Sequence, residues 1–307
     1  MTDGQPTVGA IKEDVILHSL RKKTASSKSK IRVFCLGIGT NVNTHLLDKI
    51  TEETKAASQY VLPEENLEYK VSRFYAKISE PVLADLKLRI DGPDRIRGIY
   101  PKNLPDLFKG DQMVVLGRYE PGEKKGKITL EGTIRGKKKT FEYEAVFPKE
   151  KEGNSFIPRI WATRRVGYLL DEIRLRGENK ELKEEVARLA RKYGIVTPYT
   201  SYLIIEDEKD IPLARRSLGR VAPGAAAPVA ERELLEIKED AKIAYDSFKL
   251  EKSGESAVRG AASSITLKSA DGISSFSAAK NLAYAGGKAA KKQIASENRM
   301  LDGKTFH

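Results

Sequence analysis

The residues of this sequence that could do chemistry are few and scattered. Gly37 and Gly39 follow the apolar run Val33, Phe34, Cys35 and Leu36. They supply two glycines of a dinucleotide fingerprint, where bare backbone approaches a pyrophosphate. Val42 stands where the third small residue is needed, and no acidic ribose partner is identified. Gly303, Lys304 and Thr305 end like a phosphate loop, but Asn298 takes the place of its first glycine and no strand or helix pattern flanks it. His18, His45 and His307 make no zinc spacing. Thr197, Thr200 and Ser201 have no histidine or acidic partner at a useful spacing, so local side-chain to backbone bonding is expected of them. Cys35, the one cysteine, sits inside an apolar run and is expected to be a buried, inert thiol. No residue is assigned a catalytic role, and a nucleotide-dependent enzyme ranks last among the readings.

Binding chemistry has more support. Lys124, Lys125 and Lys127, then Lys137, Lys138 and Lys139, fall at the turns of a strand-rich stretch and are the candidate anion-binding residues. The chain carries a formal net charge of +12, but 43 acidic residues dilute the field and no nucleic-acid motif accompanies it. Nucleic acid is therefore not the expected partner. No apolar run reaches the length of a membrane span, and no signal peptide is expected before the first element. Asp3, in a Thr-Asp-Gly turn, reads as a turn residue or helix N-cap.

The elements that position these residues follow from periodicity. Ile31 to Leu36 reads as a parallel strand buried on both faces, ended by Gly37 and Gly39. Thr40, Asn41 and Asn43 supply cap chemistry before Leu46, Leu47 and Ile50 recur at helical spacing. A helical pattern precedes this unit at Ile11, Val15, Ile16, Leu17 and Leu20; a short strand at Tyr60 to Leu62 and a helix over 64–78 follow it. From Pro81 the pattern alternates, with turns at GPD, EPGEKKG and RGKKK, as in a small antiparallel β-sandwich. Ile160, Trp161, Val166, Leu169, Leu170 and Ile173 form one helix face with Trp161 as a core anchor, and Leu182, Val186, Leu189 and Tyr193 form a second. Ser201 to Ile205 reads as a strand, Ala222 to Ala230 as a Pro-Gly-Ala linker, and the Ser, Ala, Gly and Lys-rich remainder as a flexible extension.

MTDGQPTVG, VFCLGIGTNVNTHLLDKI, SRFYAKISEPVL and KGDQMVVLGRY, in this order, resemble the von Willebrand factor A domain and following region of inter-alpha-trypsin inhibitor heavy-chain-like proteins. The resemblance runs from Met1 to Asp207. It implies that Asp3 matches the aspartate of a metal-ion-dependent adhesion site. That site holds Mg²⁺ in intact members and also needs an Asp-x-Ser-x-Ser loop and a threonine from earlier in the domain. This sequence shows neither, so a fragment lacking the N-terminal part is expected, with an incomplete metal site and no cofactor of its own.

The expected organisation is α/β, then mainly β, then α. Residues 1–80 are the C-terminal half of a von Willebrand A, Rossmann-like domain, and 81–150 the β-sandwich. A helical hairpin with a terminal strand occupies 151–208, and 209–307 is a largely disordered tail with a helix over 231–248. The expected function is non-catalytic protein binding or adhesion toward a protein partner. An anion- or polysaccharide-binding module using the hairpin lysines is the alternative. The resemblance implies an extracellular or cell-envelope setting.

Overall fold

A computed structural model describes residues 3–27, 30–79, 81–151, 153–209, 227–272, 275 and 278. The chain begins with α1 (Glu13–Ser26), then β1 (Cys35–Ile38), α2 (Thr44–Glu53), β2 (Ser58–Val61) and α3 (Leu67–Ser79). β1 and β2 pair in parallel, Gly37 opposite Tyr60. A Cβ on Gly37 would lie 2.6 Å from the Tyr60 ring and 3.1 Å from Val42, so this glycine serves packing between the strands and the loop. Asn43 caps α2 by accepting from Leu46 N at 3.0 Å.

The first strand differs from expectation. It begins at Cys35 rather than Ile31, and its faces are unequal: Cys35 and Gly37 are buried, whereas Ile38 is 44% exposed. The cause is the width of the sheet, since among the described residues β1 pairs only with β2.

The stretch expected to form a sandwich contains β3 (Pro81–Asp91), β4 (Ile96–Tyr100), β5 (Leu107–Phe108), β6 (Leu116–Tyr119), β7 (Lys124–Ile134) and β8 (Lys137–Phe147). They form one antiparallel sheet in the order β5-β3-β7-β8 and a separate pair, β4-β6. β7 and β8 meet through Arg135 and Gly136, both at positive φ, the geometry that a two-residue hairpin turn requires. Arg32 ties this unit to the first, donating to Asp85 at 2.7 Å and Asp106 at 2.9 Å.

The helices form the main core. α4 (Ile157–Arg176) and α5 (Lys180–Tyr193) are the expected hairpin, broken at Gly177 and capped by Asn179. Val166, Leu170, Ile173 and Val186 are fully buried, and Trp161 joins this core while donating to Gly98 O at 2.8 Å.

Two expectations are corrected downstream. Residues 201–205 are not a strand: they lie in α6 (Pro198–Lys209). Thr197 and Thr200 exchange side-chain and backbone bonds of 2.8 and 3.2 Å that start the helix. The buried Tyr199 and Leu203, four residues apart, then share its core face. Nor are residues 227–272, within the expected tail, disordered. α7 (Ala227–Leu250) and α8 (Glu255–Lys268) pack into the body. Ala241, Tyr245 and Phe248 make an apolar stripe. Tyr245 stacks on Tyr202 at 4.8 Å and Phe248 on Tyr199 at 4.2 Å. α8 is rich in small residues because it lies close to its neighbours: a Cβ on Gly167 would sit 2.7 Å from Leu267 and 2.8 Å from the Lys268 backbone. Val258 and Ala261 close over Cys35, Tyr60 and Leu62, giving the parallel strands a covered face. Of the expected linker, 222–226 lies outside the described residues and 227–230 opens α7; residues 279–307 also lie outside them.

Candidate functional site

Three places gather polar groups. The first is the loop surface at the carboxyl end of β1. Asp3 Oδ1 accepts from Gln5 N at 2.9 Å, and Asp3 O accepts from Asn43 N at 2.8 Å. Gln5 Nε2 donates to Asn41 Oδ1 at 2.8 Å, and Thr40 O accepts from Gly254 N at 3.1 Å. Three chain segments thereby meet above α2. Gly4, at φ 76°, permits the contact, since a Cβ there would press on Asn43 O at 3.1 Å. Asp3 is thus an exposed turn carboxylate that orders this surface, as its sequence context suggested. Among the described residues there is no group of three His, Cys, Asp or Glu able to hold a metal ion.

The second is a buried ionic joint between α2, α4 and α8. Arg174 donates to Asp48 and, at 2.7 Å, to Asp171; Lys268 donates to the other Asp171 oxygen at 2.5 Å. Burial alone would raise the Asp171 carboxyl, but the charges of Lys268 and Arg174 outweigh it and hold the pKa well below the ordinary range. Tyr60 donates to Asp48 at 2.6 Å; burial first, then the Asp48 charge, pushes its phenol well above the usual value. The joint borders a cleft of about 660 Å³ lined by Phe34, Lys102, Tyr168, Asp171 and Lys268. Its charged members neutralise one another, so it acts as a fastening. Composition did not reveal it. The one signal was the pair Asp171 and Arg174, three apart on one helix.

His45 is likewise structural. Its Nδ1 faces Glu13 at 2.8 Å and its Nε2 faces Leu175 O at 3.1 Å, linking α1, α2 and α4. Burial lowers its pKa against the opposing pull of Glu13. His18 is exposed on α1, and His307 lies outside the described residues together with Gly303, Lys304 and Thr305. Cys35 is buried, and that burial, followed by the Asp48 charge, pushes its thiol up to about 11.

The third is the β7–β8 hairpin. The two lysine groups do not converge: Lys124, Lys125 and Lys127 lie at one end of the strands, and Lys137, Lys138 and Lys139 beside the turn at the other. Lys124 pairs with Asp94, and Lys127 with Glu142 at 2.6 Å. Lys137, Lys138 and Lys139 are exposed and have no ion-pair partner among the described residues.

The sequence is 27% identical over 237 residues to human inter-alpha-trypsin inhibitor heavy chain H6, covering 70% of this chain and 17% of that one. It is 28% identical over 221 residues to mouse inter alpha-trypsin inhibitor heavy chain 4, covering 68% of this chain and 23% of that one. The chain therefore spans about a fifth of the length of these relatives. No family model matches. A von Willebrand factor type A protein from Catenulispora acidiphila overlaps 73% of this chain and 61% of its own, at 17% identity and a TM-score of 0.34. Human COPII-coat protein Sec24c overlaps 84% of this chain and 36% of its own, at 13% identity and a TM-score of 0.39. Such overlaps are too loose to carry an argument. The fold is mixed α/β, opening on the parallel strand pair β1 and β2 with its helices. The chain is similar to inter-alpha-trypsin inhibitor heavy chains over 68–70% of its length.

Proposed function

We propose that this chain is a non-catalytic protein-binding or adhesion module, working through the loop surface around Asn41 without a complete metal-ion-dependent adhesion site. The observation that carries this reading is the relationship to inter-alpha-trypsin inhibitor heavy chains over 68–70% of the chain. The loop surface supports it: Asp3, Gln5 and Asn41 are held in place by bonds across 36 residues of chain and present amides and carbonyls to solvent. An extracellular setting accords with that relationship.

The donor set does not fit a hard divalent cation, which wants a near-octahedral shell of oxygens. Asp3 offers the carboxylate here, and one of its oxygens already accepts from Gln5 N. Millimolar Mg²⁺ or Mn²⁺ should leave the melting temperature unchanged, and Asp3→Ala should not alter that response. A saturable, tight Mg²⁺ site abolished by Asp3→Ala would overturn the metal-free reading.

The functional test is protein capture from extracellular-matrix extract on the immobilised chain, compared with Asn41→Arg, in EDTA. Capture of a discrete partner by the wild type, lost in the variant, is expected. Equal capture by both would place binding elsewhere. The exposed lysines beside the hairpin turn favour a second reading, polyanion binding. Retention on heparin that falls steeply with salt and is lost in Lys137→Ser/Lys138→Ser/Lys139→Ser would establish it; no retention at low salt would remove it. A nucleotide enzyme finds little support, since Gly37 is closed off by Tyr60 and Val42. High concentrations of nucleotide should not shift the melting temperature.

A further inference from the structure

We propose that β8 is a self-association edge, through which two copies of this chain pair antiparallel about Phe141 and join their four-stranded sheets into one. β8 is the outer strand of its sheet, and among the described residues only β7 pairs with it. Its eleven residues pair with β7 without the register shift that interrupts β3 and β4. It contains no proline and no bulge, two of the devices by which edge strands are kept from pairing. Residues 137–144 are all exposed, including Phe141 at 37% and Tyr143 at 57%. An outer strand of this length with exposed aromatics is a template for another strand.

The charge order identifies the occupant. Lys137, Lys138 and Lys139 occupy the first part of β8, and Glu142 and Glu144 the second. A parallel, in-register partner would set lysine on lysine. An antiparallel second copy sets one block against the other, as a two-fold interface allows. Centring the axis on Phe141 places Lys138 opposite Glu144 of the second copy, Thr140 opposite its Glu142, and the two Phe141 rings together. Lys138 and Glu144 have no ion-pair partner among the described residues, so both are available. A centre on Thr140 would require Glu142, which Lys127 holds at 2.6 Å. Centres on Lys139 or Glu142 would oppose like charges.

Sedimentation equilibrium of the full chain over a wide concentration range tests the proposal. A monomer–dimer equilibrium of the 34.1 kDa chain is expected. Lys138→Glu and Glu144→Lys should each weaken the dimer about tenfold, and the double reversal should restore it. On the wild type, β8 amides should exchange more slowly at high than at low protein concentration, a readout independent of any variant. A wild type that stays monomeric overturns the proposal. So does a dimer indifferent to both single variants, a double reversal that fails to recover association, or β8 exchange independent of concentration.

Discussion

The α4–α8 body and the β7–β8 hairpin treat charge in opposite ways. In the body Arg174, Asp171 and Asp48 are withdrawn from water and bonded to one another, with Lys268 completing the set. In the hairpin Lys137, Lys138, Lys139 and Glu144 stand in solvent without an ion-pair partner among the described residues. A buried charge is tolerated only when its partners are present, so the body is intolerant of single losses. An exposed charge contributes little to stability and is available for recognition. The body's charges thus fasten the fold, whereas the hairpin's charges remain in solvent.

The contrast can be broken most forcefully at Arg174. Arg174→Met leaves Asp48 and Asp171 without their shared guanidinium and should cost about 3–5 kcal/mol by urea denaturation. A loss below about 1 kcal/mol would show that the joint is not what fastens α2 to α4.

Gly167→Ala comes next. The added methyl meets the α8 backbone, so a loss of about 1–3 kcal/mol is expected, with earlier proteolytic cleavage in the connection between α7 and α8. Unchanged stability and cleavage would mean that α8 gives way freely.

The third measurement is the stability difference between wild type and Asp171→Asn as pH falls. The folded-state pKa of Asp171 lies below its unfolded value, because Lys268 and Arg174 overcome the effect of burial. Its contribution is fully present above the unfolded value of about 4 and is lost as pH falls toward the depressed folded value. The difference should stay constant from pH 7 to 5 and shrink below pH 4. A difference that disappears already at pH 6 would refute the assignment.

The smallest effect belongs to the hairpin. Val146→Thr, at a residue 64% exposed, should change the free energy of unfolding by no more than about 0.5 kcal/mol, measured by urea denaturation. A larger loss would show that β8 belongs to the stable core.

The sequence by itself determined the elements whose apolar residues repeat with a clear local period. α2 follows from Leu46, Leu47 and Ile50 behind its Asn43 cap, and α4 from the face that carries Trp161 to Ile173. β7 and β8 follow from alternation around Arg135-Gly136, and the local bonding of Thr197 and Thr200 from their residue types alone. Only the tertiary structure decided α6 and α8. TSYLII carries β-formers, but Tyr199 and Tyr202 find Phe248 and Tyr245 from a helix more than forty residues away, and only a helix turns both toward it. The Ser-Ala-Gly sequence of α8 reads as a flexible extension because small residues bury little apolar surface by themselves. Once α4 presents Gly167, the same small residues become the surface that fits, and Lys268 arrives beside Asp171. The fastening joins residues 48, 171, 174 and 268, and no local window contains them, because the free energy that holds them arises only where the folded chain brings all four together and withdraws Asp48, Asp171 and Arg174 from water.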